Sequence, residues 1–419
     1  MNDRIRATYL IETALPPADA AAIMAGEQSS GTFIQVPGQT AELEARAAAR
    51  VVELEELDSV PAPSLPGARV STMSRYRRAR VTLDWPVANL GPSLPNLMAT
   101  IAGNLFELNA FSGLRLLDFS VPEAFFERYP GPQFGIAGTR RLSGVHDGPL
   151  IGTIVKPSVG LDPEATAAVV DAMCAGGIDF IKDDELQADG PHCPFKARVD
   201  AVMEVIERHA HSMGRKVMYA FNVTGEVDEM RRRHDYVHAR GGSCVMASLN
   251  SVGLTGFLAL RDHAVLPIHA HRNGWGYLSR APMLGFDYVA WQKFWRLAGA
   301  DHMHVNGIAN KFCENDDSVI RSARACLEPL DSAAGHDYTV VPVFSSGQWA
   351  GQTSATYAAL GSTDLIYACG GGIVAHPDGI GAGVRSIREA WHAATSGIPL
   401  AEHAATHPAL ARAIATFGH

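Results

Sequence analysis

From residue 149 onward, short apolar runs alternate with longer stretches in which apolar residues recur at helical spacing. The short runs predict strands, and the amphipathic stretches predict helices. The predicted strands are Leu150–Lys156, Ile178–Asp183, Lys216–Asn222, Cys244–Ser248, Val265–His271, Asp301–Val305, Thr339–Phe344 and Asp364–Ala368. The predicted helices are Pro163–Ala175, Phe195–His211, Glu226–Arg240, Tyr288–Leu297, Ser318–Leu327 and Ala350–Leu360. Eight strands that alternate with helices over about 250 residues are typical of a (β/α)8 TIM barrel. We therefore predict an α/β barrel domain at residues 146–419 that ends in C-terminal helices.

The first 145 residues show a mixed pattern without a repeat. Pro17–Ala25, with proline in its first turn, and Leu90–Leu105 predict helices. Thr32–Val36 and Arg69–Trp85 are rich in β-branched and aromatic residues and predict strands. A sheet with helices on one face fits this pattern, so we predict a smaller α+β (ferredoxin-like) N-terminal domain at residues 1–145. Tyr129–Gly148, rich in Gly, Pro and Arg, predicts a linker to the barrel.

Polar residues stand at the ends of the predicted barrel strands. Active sites of this fold lie at the carboxyl ends of the strands, so these residues are candidates for one shared site. They are Lys156, Lys182, Asp184, Glu185, Asn222, His269, His271, Arg272, His302, His304, Ser346, Gly347 and Gly370–Gly372. Lysine is scarce in this chain, yet Lys156, Lys182 and Lys311 stand at or just beyond strand ends. Because arginine supplies surface charge equally well, their placement favours a chemical role.

The segment Ile178–Glu185, with the sequence IDFIKDDE, predicts a ligand cluster for a hard cation. Side chains two apart in a strand share a face, so Lys182 and Asp184 point the same way, and Glu185 can bend in from the loop. A deprotonated lysine that captures carbon dioxide becomes a carbamate, which is an oxygen donor. The alternative is a lysine that flanking acids neutralise at a solvated strand end.

Composition excludes several classes of protein. The formal net charge is −9 and no basic tract is present, which argues against nucleic acid as the main partner. No apolar run is long enough to cross a bilayer, and the charged start lacks the apolar centre of a signal peptide, so we expect a cytoplasmic protein without a membrane partner. The six cysteines are scattered without a CxxC pair and predict reduced thiols.

Ordered along the chain, several motifs resemble the ribulose-1,5-bisphosphate carboxylase/oxygenase (RuBisCO) superfamily. In the barrel they are GTIVKPSVGL (Gly152–Leu161), IKDDE (Ile181–Glu185), HAHR (His269–Arg272), DHMHV (Asp301–Val305) with Lys311 beyond, SSG (Ser345–Gly347), and GGG (Gly370–Gly372) with HP (His376–Pro377). Before the barrel they are EQSSGTF (Glu27–Phe33) and GN (Gly103–Asn104). The resemblance covers nearly the whole chain. It implies that Lys182 is carbamylated by CO2 and, with Asp184 and Glu185, holds Mg²⁺.

The resemblance also implies a homodimer, or a multiple of dimers, with shared active sites. The N-terminal domain of one chain would then close the barrel mouth of the other and bring Glu27, Thr32 and Asn104 to the substrate. The Thr32 hydroxyl would reach a phosphate there. Lys311 would close over the substrate carboxyl group on a mobile lid.

The remaining candidates have expected roles in substrate binding and proton transfer. Lys156 would move a proton to or from a carbanion, and His271 would orient a substrate hydroxyl. Arg272 and His304 would bind anionic groups at one end of the site. Gly370 and Gly371 would offer backbone N–H groups to a phosphate at the other end. Ser346 and Gly347 are further candidates for substrate or phosphate binding, whereas His269, His302 and His376 are expected to be structural or to support neighbouring site residues.

Departures from the superfamily pattern narrow the reaction. A true carboxylase has KPK where this chain has Lys156, Pro157 and Ser158, and here Phe33 replaces a tryptophan and Gln348 a glycine. These departures argue against CO2 fixation on ribulose bisphosphate and favour the RuBisCO-like, type IV group. An enolase of that group uses an N-terminal lysine as its base, and this chain has no lysine before Lys156.

We therefore predict a magnesium-dependent carbon–carbon lyase that acts through an enediolate on a phosphorylated 3-oxo sugar acid such as 3-oxo-isoapionate 4-phosphate. Decarboxylation, and carboxyl transfer followed by hydrolysis, both stay open. The alternatives are a sugar-phosphate enolase or isomerase, then a genuine ribulose-bisphosphate carboxylase, then a non-catalytic binding protein.

Overall fold

The structure is a computed structural model that describes residues 3–31, 36–69, 75–331 and 335–418. The chain divides into two compact units. The first comprises Met1–Pro130 and Gly274–Leu297, and the second comprises Gly131–Asn273 and Ala298–His419. Most of the strand predicted at Thr32–Val36 lies outside the described residues, as does part of the strand predicted at Arg69–Trp85.

The first unit is an α+β domain, as predicted, built on a five-stranded sheet of order β10-β4-β1-β3-β2. Its strands are β1 (Arg4–Thr13), β2 (Arg50–Val60), β3 (Tyr76–Pro86), β4 (Phe111–Ser120) and β10 (Leu284–Phe286). The pairs β1–β3, β1–β4 and β2–β3 are antiparallel, whereas β10 pairs with β4 in parallel. Its helices are α1 (Pro17–Glu27), α2 (Ala41–Ala47), α3 (Leu94–Ala102), α4 (Glu123–Arg128), α10 (Trp275–Ser279) and α11 (Tyr288–Leu297).

The second unit contains a closed barrel of eight parallel strands, which confirms the predicted fold class. In spatial order the strands are β5 (Leu150–Ile154), β6 (Phe180–Lys182), β7 (Met218–Asn222), β8 (Cys244–Ser248), β9 (Ile268–His271), β11 (His302–His304), β12 (Val341–Phe344) and β13 (Ile366–Ala368). Every one of them lies within a predicted run. Such strands are buried on both faces, which is why they read as continuous apolar segments.

Helices accompany the barrel strands in the second unit. They are α5 (Gly135–Ser143), α6 (Pro163–Ala175), α7 (Phe195–Met213), α8 (Val227–Ala239), α9 (Leu249–His263), α12 (Asp316–Leu327), α13 (Thr353–Leu360), α14 (Gly371–Val374), α15 (Ile380–Ser396), α16 (Leu400–Ala404) and α17 (Pro408–Phe417). Helix α6 begins as its sequence predicts: the Asp162 side chain accepts a hydrogen bond from the N–H of Ala165 at 2.7 Å, and proline follows at the first helical position.

Two predictions of local structure were wrong. The predicted linker contains helix α5, whose start is fixed by Asp301: this carboxylate accepts hydrogen bonds from the N–H groups of Phe134 and Gly135. Helix α11 has the predicted bounds, but it belongs to the first unit and not to the barrel.

Apolar side chains of the barrel strands form a buried core. Leu150, Phe180, Met218, Met246, Val343 and Ile366 belong to one buried cluster. This packing leaves the polar residues at the strand ends as the place for chemistry. None of the helices in the described ranges combines the length and the apolar composition that a membrane crossing requires.

Candidate active site

Four of the predicted residues meet at the ends of β5 and β6. Lys182 is 1% exposed, and its Nζ lies 2.9 Å from the Asp183 carbonyl oxygen and 3.5 Å from Glu185 Oε2. Lys156 Nζ lies 2.6 Å from Oδ2 of the buried Asp184. Lys182 is therefore buried among acidic groups. The alternative interpretation required this lysine to lie at a solvated strand end, and the structure does not place it there.

The electrostatics of this cluster suit a carbamate. Burial lowers the pKa of Lys182, although the neighbouring carboxylates oppose the shift. A lowered pKa raises the fraction of neutral amine, and the neutral amine is the form that reacts with CO2. For Glu185, burial raises the pKa, but the electrostatic interactions with His271 and Lys182 outweigh this effect and lower it to about 2. A carbamate and two ionised carboxylates are the all-oxygen donor set that Mg²⁺ prefers, so these residues fit that ion.

The Asp183 carboxylate is held by residues outside this cluster. Its carboxylate accepts hydrogen bonds from Tyr219 Oη at 2.6 Å, from the Asn222 N–H at 2.8 Å and from Arg198 Nη2 at 3.2 Å. Arg198 also donates to the carbonyl oxygens of Cys193 and Ala188. The ion pair therefore ties the loop after β6 to helix α7. Neither Arg198 nor Tyr219 was predicted, because no local pattern signals a partner this far away in sequence.

Asn222 at the end of β7 supports the same segment. Its Nδ2 lies 3.3 Å from the carbonyl oxygens of both Asp184 and Glu185. Its Oδ1 accepts a hydrogen bond from the Thr224 N–H. The uncharged Asn222 side chain thus binds the backbone of Asp184 and Glu185.

His271 stands beside the acidic cluster, with Nε2 3.4 Å from Glu185 Oε2. Burial and the positive charge of Lys182 lower its pKa to about 4. The Asn273 N–H donates to Nδ1, so the proton of the neutral ring is on Nε2. His271 therefore presents a donor toward the acidic cluster.

His304, from β11, belongs to a row of buried histidines. Its Nε2 lies 2.7 Å from His269 Nε2, and His269 Nδ1 lies 3.3 Å from His302 Nδ1. Burial lowers the pKa of all three rings, that of His302 to about 3. His269 therefore connects His302 to His304, a predicted site residue.

Arg272 is held by a carboxylate that was not predicted. Its Nη2 lies 2.8 Å from Glu314 Oε2, and the same oxygen accepts a hydrogen bond from Asn306 Nδ2 at 2.6 Å. Asn306 Oδ1 in turn accepts from Ser346 Oγ at 2.7 Å. Glu314 thereby links Arg272 to Ser346, two residues predicted to bind substrate.

The segment after β11 carries Lys311 and is tied down at several points. The Lys311 N–H donates to the Ser346 carbonyl oxygen at 3.2 Å, while its Nζ lies over the Phe312 ring. Gln348 is 1% exposed, and its Nε2 donates to the Ile308 carbonyl oxygen at 3.0 Å. The Lys311 backbone is therefore at the site, whereas its ammonium group contacts an aromatic ring.

The glycines after β13 form a close turn with open space on one side. A Cβ atom at Gly372 would lie 2.5 Å from the Gln348 carbonyl oxygen, so this position requires glycine. No atom lies within 4 Å of the place where a Cβ of Gly371 would be. Gly370 precedes helix α14, so the first N–H groups of this turn lack an acceptor within the helix, as phosphate binding requires.

In the first unit, Gln28 connects the end of helix α1 to Asn104. Glu27 ends helix α1, and the Gln28 side-chain amide lies 3.1 Å from the Asn104 backbone nitrogen. Both predicted residues are exposed. Thr32, the third predicted residue of this domain, lies outside the described residues.

A second group of potential metal ligands lies on α8 and α9. His234 Nδ1 and His263 Nε2 both contact Asp235 Oδ1, at 3.1 and 2.6 Å. However, His234 Nε2 accepts a hydrogen bond from the Val265 N–H, so Nδ1 of the neutral ring carries the proton and lacks a lone pair for a metal. The cluster is therefore a weaker metal site than the strand ends.

Comparison with known proteins agrees with the resemblance in the motifs. Residues 2–125 match the family model for the ribulose bisphosphate carboxylase large chain, N-terminal domain, and residues 135–417 match that for its catalytic domain. The chain belongs to the RuBisCO large-chain family. A 3-oxo-isoapionate-4-phosphate transcarboxylase/hydrolase from Xanthobacter autotrophicus is 58% identical over 99% of both chains. A 3-oxo-isoapionate-4-phosphate decarboxylase from Rhizobium etli is 46% identical over 99% of this chain and 98% of its own.

Solved structures of the family have the same fold. The crystal structure of a rubisco-like protein from Burkholderia fungorum has a TM-score of 0.93, 50% identity, and covers 99% of this chain and 100% of its own. A dimeric archaeal Rubisco from Hyperthermus butylicus has a TM-score of 0.85, 31% identity, and covers 99% and 96%. An octameric Rubisco from Pyrococcus horikoshii, with a TM-score of 0.86 and 31% identity, is a second neighbour that is described as an oligomer.

The departures from the RuBisCO pattern have structural roles in this chain. Ser158 Oγ accepts a hydrogen bond from Lys156 Nζ at 2.7 Å, where a carboxylase has a second lysine. Gln348 fills the space over Gly307 and joins Tyr367 Oη, at 3.2 Å, to the segment after β11. Phe33, the third departure, lies outside the described residues. The two described departures thus contact Lys156 and the segment after β11.

Proposed function

We propose that this chain is a magnesium-dependent carbon–carbon lyase that acts on 3-oxo-isoapionate 4-phosphate by carboxyl transfer followed by hydrolysis. The observation that carries the proposal is the 58% identity over 99% of both chains with the Xanthobacter autotrophicus enzyme. The arrangement of Lys156, Lys182, Asp184 and Glu185 at one barrel mouth supports it, because a β-keto acid needs an electrophile at its 3-oxo group and an acid–base group beside it.

Lys182, as its CO2 carbamate, Asp184 and Glu185 would hold the magnesium ion. Bound there, Mg²⁺ supplies a Lewis acid that polarises the 3-oxo group and stabilises negative charge. The support is the chemistry of the donor set: a buried lysine with a lowered pKa lies 3.5 Å from the Glu185 carboxylate, and Asp184 follows two residues later in the chain. Asn222 and Asp183 would keep that segment in place.

Lys156 is the proposed proton donor and acceptor. Its side chain is 40% exposed, so a substrate can reach its Nζ, while Asp184 and Ser158 fix the position of that atom. His271 would hold a substrate hydroxyl, and Lys311 the substrate carboxyl group.

The phosphate and the remaining polar groups would bind around these residues. Gly370 and Gly371 would donate backbone N–H groups to the phosphate, with Ser346 and Gly347 as further contacts. Arg272 would bind an anionic group at the other end, next to Glu314.

Direct decarboxylation is a second candidate, favoured by the name of the 46% identical relative from Rhizobium etli. The two reactions differ in what they consume and release. Decarboxylation breaks the bond to the carboxyl group, releases it as CO2 and adds a proton to the carbon that loses it. Transfer followed by hydrolysis consumes one water, releases no net CO2 and yields two carboxylic acids.

The test uses 3-oxo-isoapionate 4-phosphate labelled with ¹³C in its carboxyl group, with Mg²⁺ and bicarbonate. Label that stays in an acid product supports carboxyl transfer, and label released as ¹³CO2 supports decarboxylation. Lys182→Ala should lose either activity, whereas Lys196→Ala, at an exposed lysine outside the site, should keep it. If the wild type consumes none of the substrate, the proposal fails; consumption without cleavage would instead indicate an isomerase.

We also propose a homodimer in which Glu27, Thr32 and Asn104 of one copy serve the barrel of the other. The exposure of Glu27 and Asn104 supports this, because a polar edge that completes another chain must be accessible. The Lys182→Ala and Asn104→Ala chains, each inactive alone, should regain about one quarter of the wild-type activity when they are unfolded, mixed and refolded together. Half of the dimers are then mixed, and each mixed dimer holds one complete site of two. A monomer in light scattering, or no restored activity, would contradict it.

A further inference from the structure

Three histidines form a continuous hydrogen-bonded row from the barrel interior to the site. His302 and His269 are fully buried, and His304 is 4% exposed. At the inner end, His302 Nε2 lies 2.9 Å from Thr139 Oγ1 on helix α5. At the outer end, His304 Nδ1 lies 3.1 Å from Ser345 Oγ. Every ring nitrogen in the row therefore has a partner, and each contact needs one donor and one acceptor.

The direction of the whole row is set by Thr139. Its hydroxyl donates to the Gly135 carbonyl oxygen at 2.6 Å, and that oxygen can only accept. With its single proton used there, Thr139 Oγ1 must accept from His302 Nε2. A neutral His302 then carries no proton on Nδ1, so this atom accepts from His269 Nδ1.

The same rule continues outward. Since His269 carries its proton on Nδ1, its Nε2 accepts from His304 Nε2. His304 Nδ1 is then unprotonated and accepts from the Ser345 hydroxyl. The opposite direction would leave the Thr139 and Gly135 oxygens 2.6 Å apart with no proton between them. Loss of that one hydrogen bond disfavours it on the order of tenfold.

We propose that Thr139, His302 and His269 are positioning residues that fix His304 as its Nε2–H tautomer, so that His304 serves the site as a hydrogen-bond acceptor through Nδ1. Burial supports the neutral rings that the rule requires, because burial lowers the pKa of all three. In this proposal His304 does not bind an anionic group as the sequence predicts. It accepts a hydrogen bond from the Ser345 hydroxyl and so orients that hydroxyl. The relevance to catalysis rests on the proposed function, but the tautomer itself does not.

The tautomers are measured by NMR on full-length protein labelled with ¹⁵N in histidine, without substrate. Protonated and unprotonated ring nitrogens differ widely in ¹⁵N shift, so two-bond ¹H–¹⁵N correlations assign each ring. The row requires alternation: the proton is on Nε2 in His302, on Nδ1 in His269 and on Nε2 in His304. His302→Gln and His269→Gln spectra assign the signals. A proton on Nδ1 of His304, or a doubly protonated ring at neutral pH, would overturn the proposal.

Variants of Thr139 test the anchor. Thr139→Val removes the fixed acceptor at the inner end of the row, so His304 should lose its single tautomer and show Nδ1–H signal, whereas Thr139→Ser should restore the wild-type spectrum. The matched control is Thr356→Val, another buried threonine that donates to the carbonyl oxygen four residues earlier, at 2.8 Å, but is not in the histidine row. An unchanged His304 spectrum in Thr139→Val overturns the proposal. If that variant does not fold, alternation in the wild type decides alone. Failure of the proposed reaction would not alter these spectra, so the two proposals can fail separately.

Discussion

Replacing Arg198 by methionine should destabilise the second unit far more than the same replacement of Arg208. Both arginines lie on helix α7 and pair with an aspartate. Arg198 and its partner Asp183 are 0% and 1% exposed, whereas Arg208 and Asp171 are 57% and 46% exposed. The first substitution leaves a buried carboxylate without its cation, and the second breaks a contact in water.

The magnitudes differ accordingly. Removal of one partner from a buried ion pair costs about 3–5 kcal/mol, whereas an exposed pair contributes at most about 1 kcal/mol. Asp183 keeps its hydrogen bonds from Tyr219 and from the Asn222 N–H, so the cost should stay within that range. At about 2–4 °C per kcal/mol, Arg198→Met should lower the melting temperature by roughly 6–20 °C and Arg208→Met by less than about 4 °C.

Scanning calorimetry of the two variants at neutral pH gives the comparison. Adding Asp183→Asn to Arg198→Met removes the stranded charge, so the double variant should melt above Arg198→Met alone. Equal shifts for Arg198→Met and Arg208→Met would refute the reasoning. A double variant that melts no higher would show that packing around Arg198, and not the unpaired charge, dominates.

Three further predictions each concern the contacts of one side chain. Burial raises the pKa of Glu12, but the hydrogen bonds that its carboxylate accepts outweigh this effect and lower the pKa below 4.5. The ionised carboxylate therefore stabilises the folded state above pH 4.5, and this stabilisation is lost as the pH falls through the folded-state pKa. The melting temperatures of Glu12→Gln and wild type should then converge in acid. Gln348→Ala loses its bond to Ile308 and should speed amide hydrogen exchange in residues 306–311, at a cost of about 1–3 kcal/mol; unchanged exchange would contradict this. Glu314→Gln removes the charge that holds Arg272 and should raise KM more than it lowers kcat, which steady-state kinetics would check.

The barrel was predictable because its strands are buried on both faces. The observed bounds of β8 are those of the predicted run Cys244–Ser248. All five of its residues are buried, so the run appears in the sequence as an uninterrupted strand. Strand β2 was missed because its sequence RVVELEELDSV is exposed along nearly its whole length and so shows no apolar face. Helix α9 was missed because it starts directly after β8 and is interrupted by Gly253, whose φ is 67°.

Local spacing predicted side-chain direction in the site, but not the partners. Period two placed Lys182 and Asp184 on one face, and by the same rule turned Asp183 to the other. What Asp183 meets there, Arg198 on α7 and Tyr219 on β7, depends on how the barrel closes. The histidine row is similar: DHMH shows two histidines on one face, but His269 and Thr139 join them only in three dimensions.

The charges at the barrel mouth predict that CO2 and Mg²⁺ bind together. Lys156, Lys182 and Arg272 face the carboxylates of Asp184, Glu185 and Glu314, a balanced set. Carbamylation turns the positive Lys182 negative, a change of two charges that one divalent ion offsets. Either change alone would leave two uncompensated charges among buried groups, which is costly. Bicarbonate and Mg²⁺ should therefore raise the melting temperature together, and much less separately. Lys182→Ala should lose this synergy; a full shift with Mg²⁺ alone would show that the site does not depend on the carbamate.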